Sequence, residues 1–162
     1  MKSHSFAASF RYAAQGIRAA LREERNLRFH LCAACYVYLF SLFYPFGRTE
    51  YLLITLMVCG VMALELVNSA IERAVDKPDR EHDAAAGAAK DMAAGAVLVF
   101  SIGCAACGVV LFLDFAVLGQ ILAFFVQYPL AAVLLAASLA AAWRFVQGKK
   151  TGRRKGSTDA GL

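Results

Sequence analysis

Hydrophobic residues in this 162-residue chain are gathered into blocks. Over residues 6–28 the pattern is amphipathic. Phe10, Ala14, Ile17 and Leu21 share one helical face, and Arg11, Gln15, Arg18, Arg22 and Arg25 share another. That recurrence predicts a helix, and its arginine-rich face suits the surface of an anionic membrane. Longer apolar blocks follow. The first span is expected from Leu27 to Phe46, closed by Pro45 and Gly47, with Arg48, Thr49 and Glu50 as a short external turn. The second runs from Tyr51 to about Arg73, before a polar stretch from Asp76 to Asp83. Pro78 lacks a backbone donor and ends that helix, and Asp83 is placed to cap the next. A third span starts with the small residues 84–89, passes Lys90 and Asp91, and ends near Leu113. Its alanines and glycines, Gly95, Gly103 and Gly108 among them, would allow close helix packing in lipid. The block from Phe115 to Trp143 is broken by Gly119, Gln120, Gln127 and Pro129. Because about 20 residues cross a bilayer, an interfacial segment is expected first, then a fourth span over Tyr128–Val146.

Composition supports a membrane reading. Hydrophobic residues make up 60% of the chain, whereas soluble domains hold about 45–50%. The expected fold is an all-α integral membrane protein. Its parts are an amphipathic helix (1–28), a core of three spans (29–113), an additional membrane segment (114–146) and a basic tail (147–162). Net charge is +5, concentrated at the two ends. Lys2, Arg11, Arg18, Arg22, Arg25 and Arg28 lie before the first span, and Arg144 opens a second basic run. Excess Lys and Arg marks cytoplasmic segments, so both termini are expected inside and the number of spans is even. A nucleic-acid-binding tail is the other reading of that run; beside such hydrophobicity no nucleic-acid partner is expected. No cleavable signal peptide is expected, since the first 26 residues hold no uninterrupted apolar region.

The chemistry concentrates in Leu64–Asp76. Glu65, Asn68, Glu72 and Asp76 fall within an arc of about 80° on one helical face. Counted from Tyr51, Glu65 lies about 21 Å along the helix, inside the hydrocarbon near its cytoplasmic side. Glu72 is about 10 Å further on, at the boundary. An ionisable group within a span is a functional-site candidate, although hydrogen-bonded packing glue is an alternative for Glu65. Lys90 and Asp91, where the third span begins, and Glu24, from the amphipathic helix, should lie level with Glu72 and Asp76. Interface anchoring is the plainer account of Lys90 and Asp91. Several carboxylates with one lysine suit a hard cation and phosphates. Glu65, one step deeper, is suited to act as a general base on a lipid hydroxyl. The pairs Cys32/Cys35 and Cys104/Cys107 imitate a zinc site, but lie at different depths and are read as packing. There is no GxxxxGK[ST] loop and no GxGxxG turn.

The stretch ELVNSAIERAVD at 65–76, followed by AAKDMAAGAVLV at 88–99, resembles the signature of the prokaryotic diacylglycerol kinase family. These are small membrane lipid kinases and include the undecaprenol kinases. SFRYAAQGI and EERNLRFHL resemble that branch in particular, and the likeness covers about residues 5–113. It implies a homotrimer with sites shared between protomers and Mg-ATP as phosphoryl donor. On this resemblance Glu65 matches the catalytic base, and Glu24 and Glu72 match the ligands of Mg2+. ATP would contact Tyr12, Glu24, Glu72, Asp76, Lys90, Asp91 and a covering loop of Glu81, His82 and Asp83. The lipid alcohol would meet Arg18, Glu65 and Asn68. The loop departs from the family's usual E-Y-H, and the block after Asp114 extends the family's three spans.

The expected function is transfer of the γ-phosphoryl of Mg-ATP to a lipid alcohol at the inner leaflet, with undecaprenol preferred to diacylglycerol. A proton-coupled exporter built on Glu65 is the alternative. It leaves Glu24, Glu72, Asp76, Lys90 and Asp91 without a task. A catalytically silent member with a structural role is a third reading.

Overall fold

The computed structural model describes residues 6–76 and 84–148. All regular structure among them is helical: α1 (Phe6–Glu23), α2 (Arg25–Ser41), α3 (Arg48–Val75), α4 (Ala84–Phe112), α5 (Phe115–Gln127) and α6 (Pro129–Gln147). The chain is an integral membrane protein. Helices α3, α4 and α6 are each long and apolar enough to cross a bilayer, and α5 is a shorter apolar helix. Their large apolar side chains point outward: Leu56, Val99, Val110 and Leu130 are all more than 60% exposed. Side chains so exposed suit an apolar solvent, and a helix meets its other requirement by satisfying its backbone polar groups internally.

Local chemistry accounts for the helix ends. Glu50 turns back so that its Oε2 accepts the Gly47 amide at 2.8 Å, which starts α3. Asp114 Oδ1 accepts the amides of Ala116 (2.9 Å) and Val117 (3.2 Å), which starts α5. Pro129 occupies the first turn of α6, where its missing N–H costs no hydrogen bond. The Asp83 cap, Pro78 and the basic tail from residue 149 lie outside the described residues.

Helices α3 and α4 form the main hairpin, α2 packs on α3, and α6 packs on α2. One end of the bundle is closed by aromatics. The Tyr44 hydroxyl donates to the Phe112 carbonyl at 2.6 Å, and the Phe43 ring meets Phe124 edge-on at 5.3 Å. The other end gathers the close of α1, the start of α2, the close of α3 and the close of α6.

Three expectations require correction. The amphipathic helix does not run to residue 28. It breaks at Glu24, which becomes the N-cap of α2. The first span is therefore shifted: α2 starts at Arg25 and stops at Ser41, and a hydrogen-bonded turn carries the chain on to Pro45. At 17 residues, α2 is about 26 Å long, shorter than α3 or α4. Lastly, Arg48, Thr49 and Glu50 open α3 rather than forming a separate turn. Within the chain, α4 does not pack through its glycines. Nothing lies within 4 Å of where a Cβ would stand at Gly95, Gly103 or Gly108. The close approach is at Gly60 of α3, where a Cβ would run into the Phe100 ring.

Candidate active site

The stripe on α3 is formed as its periodicity predicts, and its polar side chains differ sharply in burial. Glu65 is 3% exposed and Asn68 is 8% exposed, whereas Glu72 is half-buried and Asp76 is exposed. A helix that buries Glu65 beside apolar residues must offer it partners. The partner comes from α2: His30 Nε2 stands 3.4 Å from Glu65 Oε1. Glu24 and Glu72 both lie close enough for their charges to act on Glu65. One turn along α3, Asn68 Nδ2 donates to Glu72 Oε1 at 3.1 Å. That leaves Asn68 Oδ1 buried without a hydrogen-bond partner, an unmet acceptor in the middle of the stripe.

The level above is wholly charged. Arg73 Nη2 lies 3.1 Å from Glu23 Oε2 and 3.4 Å from Glu24 Oε1, tying α3 to the break between α1 and α2. Lys90 Nζ donates to Asp76 Oδ2 at 2.8 Å and Oδ1 at 3.0 Å, joining the start of α4 to the end of α3. Glu72 and Asp91 also act on the Lys90 charge. Glu24, Glu65, Glu72, Asp76, Lys90 and Asp91 thus form one electrostatically connected group. Tyr12 and Arg18 lie on exposed positions of α1, Tyr12 with the Arg11 guanidinium 5.5 Å from its ring centre. Glu81, His82 and Asp83 lie outside the described residues.

Two participants escaped the sequence reading. His30 is an ionisable residue within the first span, and the rule that singled out Glu65 applies to it equally. Arg73 is the cation that holds Glu24, a contact 49 residues apart with no local signal.

The site also has an apolar side. A groove of about 360 Å³ runs between α2, α3 and α4, from Phe29 and His30 past Val61 and Cys104 to Phe112. His30, which lines one end of the groove, is also the residue that meets the Glu65 carboxylate. A shallower hollow of about 370 Å³ between α3 and α4 reaches Asn68 and Met92. The five cysteines are unpaired.

Among the described residues no three His, Cys, Asp or Glu side chains converge into a metal cage. Magnesium needs less: one or two carboxylates, completed by phosphate oxygens and water. Glu24, with its side chain 28% exposed, and the half-buried Glu72 meet that requirement. The amide of Asn68 donates to Glu72 through Nδ2, and its Oδ1 is a further unmet acceptor beside that bond. The donor set therefore fits Mg2+.

Comparison with known proteins identifies the family. Residues 11–112 match the family model described as prokaryotic diacylglycerol kinase. The undecaprenol kinase of Bacillus subtilis (strain 168) is 42% identical over 108 residues, covering 67% of this chain and 88% of that protein. The diacylglycerol kinase of Haemophilus influenzae is 34% identical over 91 residues, 56% of this chain and 77% of that one. The diacylglycerol kinase of Escherichia coli (strain K12) is 33% identical over 88 residues, 54% of this chain and 72% of that one. No solved structure matches the chain significantly. The matched stretch ends with α4, so α5 and α6 lie beyond it. With that match over most of the chain and the site built on its helices, the protein belongs to the prokaryotic diacylglycerol kinase family, a family of membrane lipid kinases.

Proposed function

We propose that this kinase transfers the γ-phosphoryl of Mg-ATP to the hydroxyl of a lipid alcohol, undecaprenol in preference to diacylglycerol, at the cytoplasmic face of a bacterial inner membrane. The observation that carries the reading is the position of Glu65. It is a buried carboxylate beside His30, a residue that lines an apolar groove, and lies two helical turns from a half-exposed cluster of carboxylates and one lysine. A lipid alcohol can lay its chain in the groove and present its hydroxyl to Glu65. A water-soluble donor can reach Glu72, Asp76 and Lys90 from outside the bilayer. The undecaprenol preference draws on the likeness to the Bacillus subtilis kinase. The basic amino-terminal helix supports the orientation, with both termini cytoplasmic. The family relationship supports a homotrimer.

The residues divide the reaction between them. Glu65 accepts the hydroxyl proton as the lipid oxygen bonds to the γ-phosphorus and the bond to the departing ADP oxygen breaks. His30, at 3.4 Å, holds the Glu65 carboxylate toward the groove. Lys90, drawn from Asp76, offsets phosphate charge, and Asn68 fixes Glu72. Glu24 and Glu72 would hold Mg2+, which supplies charge neutralisation on the β- and γ-phosphates when bound. Arg73, 3.4 Å from Glu24, holds that carboxylate at the end of α3. Little covalent work falls to the protein, and positioning and electrostatics carry the acceleration. Nothing in the site or the relatives favours the exporter.

The test is radiolabelled phosphate transfer from Mg-ATP by the purified protein in bilayer nanodiscs. Undecaprenol, diacylglycerol, ceramide and no lipid are offered in parallel. Label is expected in undecaprenol first and diacylglycerol second. Label in none of the lipids would overturn the kinase assignment, and faster labelling of diacylglycerol would reverse the substrate order.

A further inference from the structure

The amino-terminal pattern is continuous enough to predict one helix over residues 6–28, yet the chain breaks at Glu24. The cause lies in Arg28, a residue 7% exposed, each of whose guanidinium nitrogens donates a hydrogen bond. Its Nη1 donates to the carbonyls of Leu21 at 3.1 Å and Arg22 at 2.9 Å, in the last turn of α1. A continuous helix would satisfy those carbonyls with its own amides; at a break they need another donor. The remaining nitrogens reach across 118 residues to α6, where Nε and Nη2 donate to the Val146 carbonyl at 3.2 and 3.1 Å. One cation therefore closes the carboxyl ends of two helices, where positive charge is favoured. Gly148 completes the arrangement. It takes a φ of 62°, and a Cβ there would stand 2.9 Å from Arg28 Nη2.

Glu24 sits on the break that this cation holds. Its amide donates to the Ala20 carbonyl at 2.7 Å, and its carboxylate reaches Arg73 of α3 at 3.4 Å. If the two helices merged into one, Glu24 would turn with the new helix, away from the direction set by the break. Helix α6 belongs to the segment beyond the family match, so this chain has an added helix whose end is fixed to the backbone that presents a proposed metal ligand.

We infer that Arg28 is a positioning residue that clamps the end of α6 to the α1–α2 break, so that the added helix sets the affinity for Mg-ATP through Glu24. The inference rests on the kinase reading above. It assigns α6 a task in nucleotide binding although α6 contributes no side chain to the carboxylate cluster.

The experiment uses the full chain in nanodiscs. Arg28→Met, Arg28→Lys, Gly148→Ala and the Arg28→Met/Gly148→Ala double variant are compared with the parent. Ser138→Ala is the control. It removes the 3.0 Å Tyr36–Ser138 hydrogen bond between α2 and α6 without touching the clamp. Equilibrium binding of a non-hydrolysable Mg-ATP analogue is measured beside kcat and KM, and circular dichroism confirms that each variant is folded. Arg28→Met and Gly148→Ala are each expected to raise the dissociation constant and the KM for Mg-ATP about tenfold, with kcat within about twofold. The double variant should be no worse than either single one, because both break the same clamp. Arg28→Lys should recover part of the loss, and Ser138→Ala should behave as the parent. If Arg28→Met does not fold, Gly148→Ala decides. An active parent whose folded clamp variants bind Mg-ATP as tightly as it does overturns the inference alone, as does an equal loss in Ser138→Ala. A parent that binds no nucleotide and labels no lipid overturns the kinase reading and this inference with it.

Discussion

Replacing Lys90 by Met separates two roles that one side chain can play. Lys90 makes two bonds to Asp76, at 2.8 and 3.0 Å, and so joins α4 to α3 across the polar loop. The side chains are 36% and 59% exposed, which sets the scale of that structural role. Ion pairs this open to water are screened and contribute little to stability, so Lys90→Met is expected to lower the melting temperature by no more than about 3 °C. Catalysis should suffer far more. Lys90 is the cation of a cluster otherwise formed by Glu72, Asp76 and Asp91, and without it the triphosphate would approach uncompensated carboxylates. The KM for Mg-ATP is expected to rise at least about tenfold, because a hydrogen bond to a charged group contributes about 1.5–3 kcal/mol. The assay pairs thermal unfolding in detergent with lipid-dependent phosphate transfer at varied Mg-ATP. A melting temperature lower by about 10 °C or more with an unchanged KM would make the pair a structural clasp and refute the phosphate role. An unchanged KM at unchanged stability would refute it too.

Two further outcomes follow from the packing. Gly60→Val drives a side chain into the Phe100 ring at the α3–α4 contact and should cost about 1–3 kcal/mol, the range for overpacking. Thermal unfolding checks this, and a parent-like transition would show that the two helices part easily. His30→Leu leaves Glu65 with no partner from α2 and should lower kcat about tenfold, while His30→Gln, which keeps a donor, should stay within about threefold. Equal rates for the two variants in the lipid phosphorylation assay would remove His30 from any role in holding Glu65.

The acidic stripe was fully legible, because helical periodicity alone puts Glu65, Asn68, Glu72 and Asp76 on one face and depth alone separates Glu65 from Glu72. The spans α3, α4 and α6 were legible for a similar reason, as hydropathy is a local property. What escaped depended on contacts between distant residues. The break at Glu24 is invisible in the 6–28 pattern, since the donor that makes it possible also bonds Val146 of α6. His30 was within reach of the same rule that flagged Glu65, but its partner lies on another helix. The close approach of α3 and α4 at Gly60 was not legible, because the Phe100 ring opposite it lies on another helix.

The central claim is that Glu65 is where a membrane-bound hydroxyl meets a water-borne phosphoryl group. Its most direct test is single-turnover phosphate transfer to undecaprenol by Glu65→Gln beside the parent, with Mg-ATP binding measured on the same samples. The substitution keeps the shape of the side chain and an acceptor for His30 while removing the base. Binding of Mg-ATP should stay within about twofold of the parent, and transfer should fall by about a hundredfold to ten-thousandfold, the range for loss of a general base. Transfer at the parent rate by a folded, nucleotide-binding Glu65→Gln protein would contradict the account.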